Sequence, residues 1–198
     1  MAPSALLFDI GNVLVRFDFT VAAQRMAKQS HASATEITQL LSPFKDDLES
    51  GAMSDAEFVR QSMERIGFKG TAEDFAAIWG EIFTENEPMT PLVKRLAASY
   101  PLYLLSNTNG IHKEHLFRSF PIFSHFRGGI YSHEARSMKP AEAIYKLAIE
   151  QFGLDPATTV YIDDLEDNIV TGARLGLVCH HYHPDRHHLL EAWLDAKA

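Results

Sequence analysis

The sequence predicts an α/β fold, a doubly wound parallel sheet into which a helical segment is inserted after the first strand. Short apolar runs alternate with amphipathic segments over most of the chain, and one long stretch breaks this alternation with helical patterns alone. Parallel strands covered on both faces carry continuous apolar runs, and their alternation with helices is typical of this fold class. The chain has 198 residues, 46% of them hydrophobic and 22% charged, a composition suited to a globular protein with one full core and a smaller appendage.

Five short apolar runs are the predicted strands of the sheet. They cover residues 5–9, 102–106, 129–132, 159–163 and 177–182. Between them, Thr90 and Pro91 predict a helix start, with threonine as the N-cap and proline at the first helical position. Pro140 is expected to open the next helix and Gly153 to end it, because glycine adopts the left-handed conformation that often follows a helix. A third helix is predicted over residues 168–175.

Residues 17–88 carry helical patterns with no strand predicted between them. Ser33 and Ser54 are each followed three residues later by glutamate, the pattern of a capping box at a helix start. Apolar residues at helical spacing follow, and we predict about four helices with a core of their own. The predicted division is therefore residues 1–16 and 89–198 for the sheet domain and residues 17–88 for the helical domain.

Charge and cysteine content narrow the classes of partner. Lys and Arg number 18 against 26 Asp and Glu, so the net charge of −8 provides no basic surface for nucleic acid or an anionic membrane. Cys179 is the single cysteine, so no internal disulfide can form and a reducing compartment fits. The first apolar run is too short to span a membrane and follows no basic region. We expect a cytoplasmic monomer or homodimer. The stretch "CHHYHPDRHH" matches no zinc spacing and predicts a surface strand and a turn.

Polar side chains follow four of the predicted strands. They are Asp9, Ser106 with Asn107, Lys139 before Pro140, and the pair Asp163 and Asp164. Taken singly, each has a structural explanation as a cap, a turn residue or a solvated side chain. The carboxyl ends of parallel strands converge on one crevice, however, and four consecutive ends with this chemistry favour a shared site.

The chemistry of this set suits a phosphoryl group. Asp9 and Asp164 would repel each other unless a cation lay between them, and carboxylates with a backbone carbonyl and waters are ligands that Mg²⁺ accepts. Lys139 and the amides after Ser106 would neutralise phosphoryl oxygens. Asp9 could then attack phosphorus and form an aspartyl-phosphate that water later breaks.

Four segments resemble the motifs of the haloacid dehalogenase (HAD) superfamily of hydrolases. They are "LLFDIGNVLV", "LLSNTN", "SMKPAEAIY" and "YIDDLEDNIVTGARLG", and the resemblance covers nearly the whole chain. The chain is similar in particular to bacterial α-D-glucose-1-phosphate phosphatases, including "ESGAMSDAEF" in the inserted segment. The resemblance implies a Rossmann-like core with an inserted α-helical cap. It also implies a Mg²⁺-dependent phosphatase for a small phosphorylated metabolite, with a sugar-1-phosphate favoured.

The resemblance also implies roles for single residues. Asp9 would be the nucleophile, Ser106 and Asn107 would hold phosphoryl oxygens, and Lys139 would steady the nucleophile and the phosphoryl group together. The implied metal ligands are Asp9, the carbonyl of Gly11, Asp164 and Asn168. Further substrate contacts are expected near the mouth of the crevice from Arg16, Asp18 and Asn109.

Gly11 departs from the usual pattern of the family, which has a second aspartate two residues after the nucleophile. That aspartate protonates the leaving group and later activates water, a role typically worth about 10²–10⁴-fold in rate. Three explanations remain open, and we favour the first: a substrate with a good leaving group, such as an anomeric or acyl phosphate. The others are slow turnover and a substitute acid among Asp18, His112 and His133.

Other functions share parts of this pattern. A haloacid dehalogenase-type hydrolase uses the same attacking aspartate without a metal, but the pair Asp163 and Asp164 suits a cation better. A phospho-acceptor switch also uses an acid pair, although there the pair comes first along the chain. A HAD-fold protein that binds a phosphorylated metabolite without hydrolysing it is favoured only by Gly11.

Overall fold

A parallel sheet of five strands lies at the centre of the computed structural model, which describes residues 2–197. The strands of the chain are β1 Ala5–Phe8, β2 Val15–Phe17, β3 Phe83–Glu85, β4 Leu102–Ser106, β5 Gly128–Tyr131, β6 Thr159–Asp163 and β7 Val178–His181. The order across the sheet is β5-β4-β1-β6-β7, so β1 pairs with β4 on one side and β6 on the other. The predicted sheet is confirmed, and its strands lie within two residues of the predicted bounds.

Eleven α-helices surround the sheet or belong to the inserted segment within the described residues. They are α1 Phe19–Ala27, α2 Ala34–Leu41, α3 Lys45–Glu49, α4 Asp55–Ile66, α5 Ala72–Gly80, α6 Met89–Ala97, α7 Gly110–Ser119, α8 Ser132–Ala135, α9 Glu142–Phe152, α10 Glu166–Arg174 and α11 His187–Asp195. Short 3₁₀ turns cover Ser42–Phe44, Pro121–His125, Pro156–Thr158 and Pro184–Arg186. None of the helices in residues 2–197 has the length and apolar character needed to cross a membrane.

The two faces of the sheet belong to two separate apolar clusters. Successive side chains of a strand point to opposite faces, so Leu6 and Phe8 pack with α6 and α11, whereas Leu7 packs with α9. All residues of β1 are buried, which explains the uninterrupted apolar run at the start of the sequence. The predicted doubly wound, Rossmann-like arrangement is therefore confirmed.

The inserted segment between β2 and β3 has an apolar cluster of its own. Phe58 and Phe75 lie fully buried in it, among side chains from α1, α2, α4 and α5. The capping box at Ser33 is present, whereas Ser54 caps α4 but Glu57 binds Arg60 rather than returning to the cap. The insertion is confirmed, and the domain bounds given above stay a prediction.

Three expectations about local structure are wrong. β2 and β3 form an antiparallel ribbon where no strand was predicted, because each has three residues, two of them exposed, and so no apolar run. The helix expected at Thr90 begins at Met89, and the Thr90 hydroxyl donates to Glu85 instead of capping it. The helix expected at Pro140 begins two residues later, because a turn closes from the Ala141 N–H to the Met138 carbonyl.

Asn86, directly after β3, connects the end of the inserted segment to the sheet domain through buried hydrogen bonds. Its Nδ2 donates to the carbonyl of Val13 at 2.6 Å and to the hydroxyl of Tyr182 at 2.9 Å, and all three residues are buried. The exit from β3 is thereby fixed against the turn after β1 and against the chain after β7.

Replacing Asn86 by alanine should lower the free energy of unfolding by about 1–3 kcal/mol, because two buried polar groups lose their donor. Tyr182→Phe should cost less, because the carbonyl of Val13 keeps its partner. Urea denaturation of both variants measures the difference. A smaller loss of unfolding free energy for Asn86→Ala than for Tyr182→Phe would contradict this role of Asn86.

Candidate active site

A cavity of about 280 Å³ lies at the carboxyl ends of β1, β4 and β6. From the sheet domain it is lined by Asp9, Ser106, Asn107, Lys139, Asp164 and Asn168. From the inserted segment it is lined by Phe19, Lys45 and Glu49, and Phe17 reaches it from β2. Because the ends of neighbouring parallel strands meet along one edge, residues far apart in sequence converge here.

Lys139 is the best-buried charge of the cavity wall. Its Nζ lies 2.8 Å from Asp9 Oδ1 and 2.6 Å from Asp163 Oδ2. Burial alone would lower the pKa of Lys139, but the two carboxylates raise it above its usual value, so the side chain stays an ammonium. Asn107 holds the backbone beneath it, donating from Nδ2 to the carbonyl of Lys139 and accepting from its N–H at 2.8 Å.

Both carboxylate oxygens of Asp163 are used by hydrogen bonds within the protein. Its Oδ2 accepts from Lys139 and from the hydroxyl of Tyr161, and its Oδ1 accepts from the N–H of Leu165 and from Asn168 Nδ2, each at 2.9 Å. Burial would raise the pKa of Asp163, but Lys139 and these hydrogen bonds hold it below its usual value. With four donors on two oxygens, Asp163 fixes Lys139 and Asn168.

Asp9 and Asp164 retain the capacity to bind a cation. The carboxylate oxygens of Asp9, Asp163 and Asp164 lie within 4.8 Å of one another. Burial, together with the two other carboxylates, raises the pKa of Asp9 to about 7 although Lys139 opposes this. Burial raises the pKa of Asp164 as well. Three carboxylates facing one ammonium favour a cation, and hard oxygen donors suit Mg²⁺.

The neighbours of Asp164 orient this donor set. Asn12 donates from Nδ2 to Asp164 Oδ2 at 3.0 Å, and His181 Nε2 donates to the backbone carbonyl of Asp164 at 2.8 Å. Because Asn168 Nδ2 donates to Asp163, the Oδ1 atom of Asn168 is the one that can bind a ligand in the cavity. The predicted ligands Asp9, Gly11, Asp164 and Asn168 all line this one cavity.

Ser106 ends β4 and is 2% exposed. Its hydroxyl makes only a long contact of 3.5 Å, to the carbonyl of Asn107, so it can turn to donate to an anion. Thr108 also lines the cavity, but its N–H is not available to an anion because it donates to Ser132 Oγ at 2.9 Å. A hydroxyl, an ammonium and two carboxylates therefore surround the same space.

The sequence model of the haloacid dehalogenase-like hydrolases matches residues 3–176. The chain belongs to this family of hydrolases. The family prediction is thereby confirmed, whereas the finer resemblance to glucose-1-phosphate phosphatases stays a prediction.

Three proteins from two bacteria are similar to this hydrolase over most of its length. A D-ribitol-5-phosphate phosphatase of Bacteroides thetaiotaomicron is 29% identical over 180 residues, which is 86% of this chain and 87% of the relative. A HAD family enzyme of the same organism, solved with magnesium and inorganic phosphate, is 29% identical with a TM-score of 0.83, covering 95% of this chain and 99% of that one. A HAD-like hydrolase of Porphyromonas gingivalis is 26% identical with a TM-score of 0.78, covering 96% and 98%.

Three predicted substrate contacts of the hydrolase do not line the cavity. The exposed Arg16 lies 3.9 Å from Asp185, and Asp18 accepts the N–H of Thr20 as the N-cap of α1. Asn109 is buried, but its side chain caps α7 and binds His112. Each is held by local hydrogen bonds or an ion pair away from the cavity.

The three candidates for the missing acid are also held elsewhere. His112 borders the cavity, but its Nε2 donates to the carbonyl of Trp79 at 3.1 Å and its Nδ1 accepts from Asn109. Burial lowers the pKa of His112 to about 3, so at neutral pH it is an uncharged imidazole and cannot act as an imidazolium acid. His133 Nδ1 donates to the carbonyl of Thr108, and His133 and Asp18 lie outside the cavity lining.

The position of Gly11 offers little room for a side chain. A Cβ there would lie 3.0 Å from the ring of Phe17, which occupies the space beside the turn. An acid at position 11 would therefore have to displace that ring.

Lys45 and Glu49 were missed by the sequence analysis. They lie four residues apart on α3, a spacing that puts both side chains on one helix face. This pattern is common on solvated helices, and the sequence carries no signal that α3 faces the sheet. Helix α3 is held close to the sheet domain by the contact of Gly51 with His133. The φ of Gly51 is 73°, and a Cβ at this position would lie 2.2 Å from the carbonyl oxygen of His133, so only glycine fits here.

Neutral, buried His112 should make the protein acid-sensitive. The unfolded chain binds a proton below about pH 6.5 that the folded chain does not bind, so stability falls as the pH drops. Between pH 8 and pH 5 the protein should lose about 2 kcal/mol more free energy of unfolding than its variant His112→Gln. Urea denaturation at each pH measures this difference, and equal losses in the two proteins would contradict the assigned pKa.

Proposed function

We propose that this hydrolase is a Mg²⁺-dependent phosphatase that releases phosphate from a small phosphorylated metabolite through an aspartyl-phosphate on Asp9. The observation that carries the proposal is the arrangement of Lys139 between Asp9 and Asp163, beside the hydroxyl of Ser106. One wall of the cavity thus combines a nucleophile, an ammonium and a hydroxyl donor.

The metal would be held by Asp9, the carbonyl of Gly11, Asp164 and Asn168. The donor set fits, because these residues offer hard oxygen atoms beside a local excess of negative charge. When bound, Mg²⁺ neutralises charge on the phosphoryl oxygens and on the carboxylates. The relative that was solved with magnesium and inorganic phosphate supports this choice of cofactor.

The side chains of this chain then divide the chemistry. Lys139 opposes the rise in the pKa of Asp9 and holds its carboxylate toward the phosphorus, and Ser106 with the Asn107 amide holds phosphoryl oxygens. An Asp9 oxygen bonds to phosphorus as the ester P–O bond breaks, and the leaving oxygen takes that electron pair and a proton. Water then attacks the phosphorus and the bond to Asp9 breaks. Inorganic phosphate is released and the Asp9 carboxylate is restored.

The proposed substrates are phosphorylated sugars and sugar alcohols. Lys45 and Glu49 face the leaving-group side with a donor and an acceptor, which suits hydroxyl groups. The relative named D-ribitol-5-phosphate phosphatase supports a sugar alcohol phosphate, and Gly11 favours a sugar-1-phosphate with its better leaving group. A cytoplasmic location and a monomeric or homodimeric state are retained as predictions from the sequence.

Phosphate release tests this proposal on α-glucose-1-phosphate, D-ribitol-5-phosphate, acetyl phosphate and p-nitrophenyl phosphate. Release should require Mg²⁺, stop with EDTA, and fall by more than about 10³-fold in Asp9→Asn. Asp195→Asn, which changes an exposed aspartate far from the cavity, is the matched control and should keep full activity.

Two results would contradict the proposal. Phosphate binding without release from any of the four compounds would make the protein a binding protein for phosphorylated metabolites. Release that persists in Asp9→Asn would remove Asp9 as the nucleophile.

A further inference from the structure

Gly11 stands where the family usually has an acid, so another residue has to protonate the leaving group and activate water. Protonation of the leaving oxygen matters most for alkyl phosphates, whose alkoxide is a poor leaving group. The missing function is worth about 10²–10⁴-fold. The following inference rests on the phosphatase activity proposed above.

Glu49 is the carboxyl group that the inserted segment contributes to the leaving-group side of the cavity, next to Lys45. It is the last residue of α3 and lines the cavity together with Asp9, Ser106 and Lys139. Asp9 attacks from the sheet side, and in-line displacement puts the leaving oxygen on the opposite side of the phosphorus, toward the inserted segment. A carboxyl group at Glu49 therefore faces the oxygen that needs a proton.

The surroundings of Glu49 favour a carboxyl group that holds a proton. No ammonium or guanidinium group in residues 2–197 forms an ion pair with it within 4.0 Å. Burial raises its pKa above the usual value, with Asp46 adding to the effect and Lys45 and Lys139 opposing it.

Helix α3 is anchored well enough to place such a group. Leu48, the residue before Glu49, is 2% exposed and packs in the apolar cluster of the inserted segment. The chain after the helix turns through Gly51, which abuts the carbonyl of His133 in the sheet domain. The N–H of Met53 donates to the carbonyl of Asp47 at 2.9 Å and closes the loop. Glu49 is thus held from both sides, as a proton-transfer group requires.

The other ionisable groups of the cavity are either engaged in other contacts or unsuited to proton transfer. Lys139 is bound to two carboxylates, and both ring nitrogens of His112 are engaged. Asp9 and Asp164 are the proposed nucleophile and metal ligands. Lys45, an ammonium, can donate hydrogen bonds but has no lone pair with which to accept a proton from water.

We propose that Glu49 is the general acid and general base of this hydrolase, supplied by the inserted segment in place of a side chain at Gly11. In the first step the Glu49 carboxyl gives its proton to the leaving oxygen as the P–O bond breaks, so the alcohol departs neutral. In the second step the Glu49 carboxylate takes a proton from the attacking water as the bond from phosphorus to Asp9 breaks. The cycle returns Glu49 to its protonated form and consumes one water per phosphate released.

The variant Glu49→Gln should separate substrates by their leaving group. Glutamine keeps the size and a hydrogen bond but cannot give up a proton. We expect kcat/KM for D-ribitol-5-phosphate to fall by about 10²–10³-fold, because this parameter reports the step that releases the alcohol. For p-nitrophenyl phosphate kcat/KM should change by less than about threefold, because nitrophenolate leaves without a proton.

The same variant should also accumulate the phosphorylated enzyme. Without its base the second step slows, so p-nitrophenol should appear in a burst of one equivalent per enzyme, followed by a slow steady phase. Asp47→Asn is the matched control on the same helix, since the Asp47 side chain is exposed and does not line the cavity, and it should leave the activity on both substrates unchanged.

Equal losses on the two substrates, or no loss on either, would overturn the role of Glu49 while leaving the phosphatase proposal standing. Absence of release that depends on Asp9 in the unchanged protein would instead overturn both proposals. Circular dichroism and binding of inorganic phosphate by Glu49→Gln verify that the variant is folded with an intact cavity.

Discussion

The ammonium of Lys139, buried between Asp9 and Asp163, is the interaction on which the candidate site depends. A buried charge is costly unless it is paired and hydrogen-bonded, and here two carboxylates and the clamp of Asn107 on the backbone supply that pairing. The contact joins the ends of β1 and β6 to the loop between α8 and α9. It also fixes the charge balance, because one ammonium faces three carboxylates and leaves the cavity negative until a cation binds.

The sheet could be predicted from the sequence because its strands are covered on both faces. Continuous apolar runs and the turns after them determine where each strand ends, and parallel topology then brings Asp9, Ser106, Lys139 and Asp164 together. The β2–β3 ribbon could not be predicted in this way. Its strands are three residues long with mostly exposed side chains, so the pattern that marks the central sheet is absent from them.

The sequence analysis placed Asp18 and Asn109 at the substrate and missed Glu49, for different reasons. Asp18 and Asn109 follow strands and look available, but each caps the helix that begins after it, because short polar side chains bind nearby backbone N–H groups readily. Glu49 lies far from any strand end. Its place in the cavity depends on the fit of Gly51 against His133, a contact between distant segments that no local pattern encodes.

The central claim is that Asp9 becomes phosphorylated, and rapid acid quenching followed by mass spectrometry tests it most directly. The protein is mixed with Mg²⁺ and p-nitrophenyl phosphate, quenched through the first turnover, and digested. The account predicts one added phosphoryl group on the peptide that contains Asp9, rising before inorganic phosphate appears and absent from Asp9→Asn. Release of inorganic phosphate with Asp9 unmodified at every time point would contradict it.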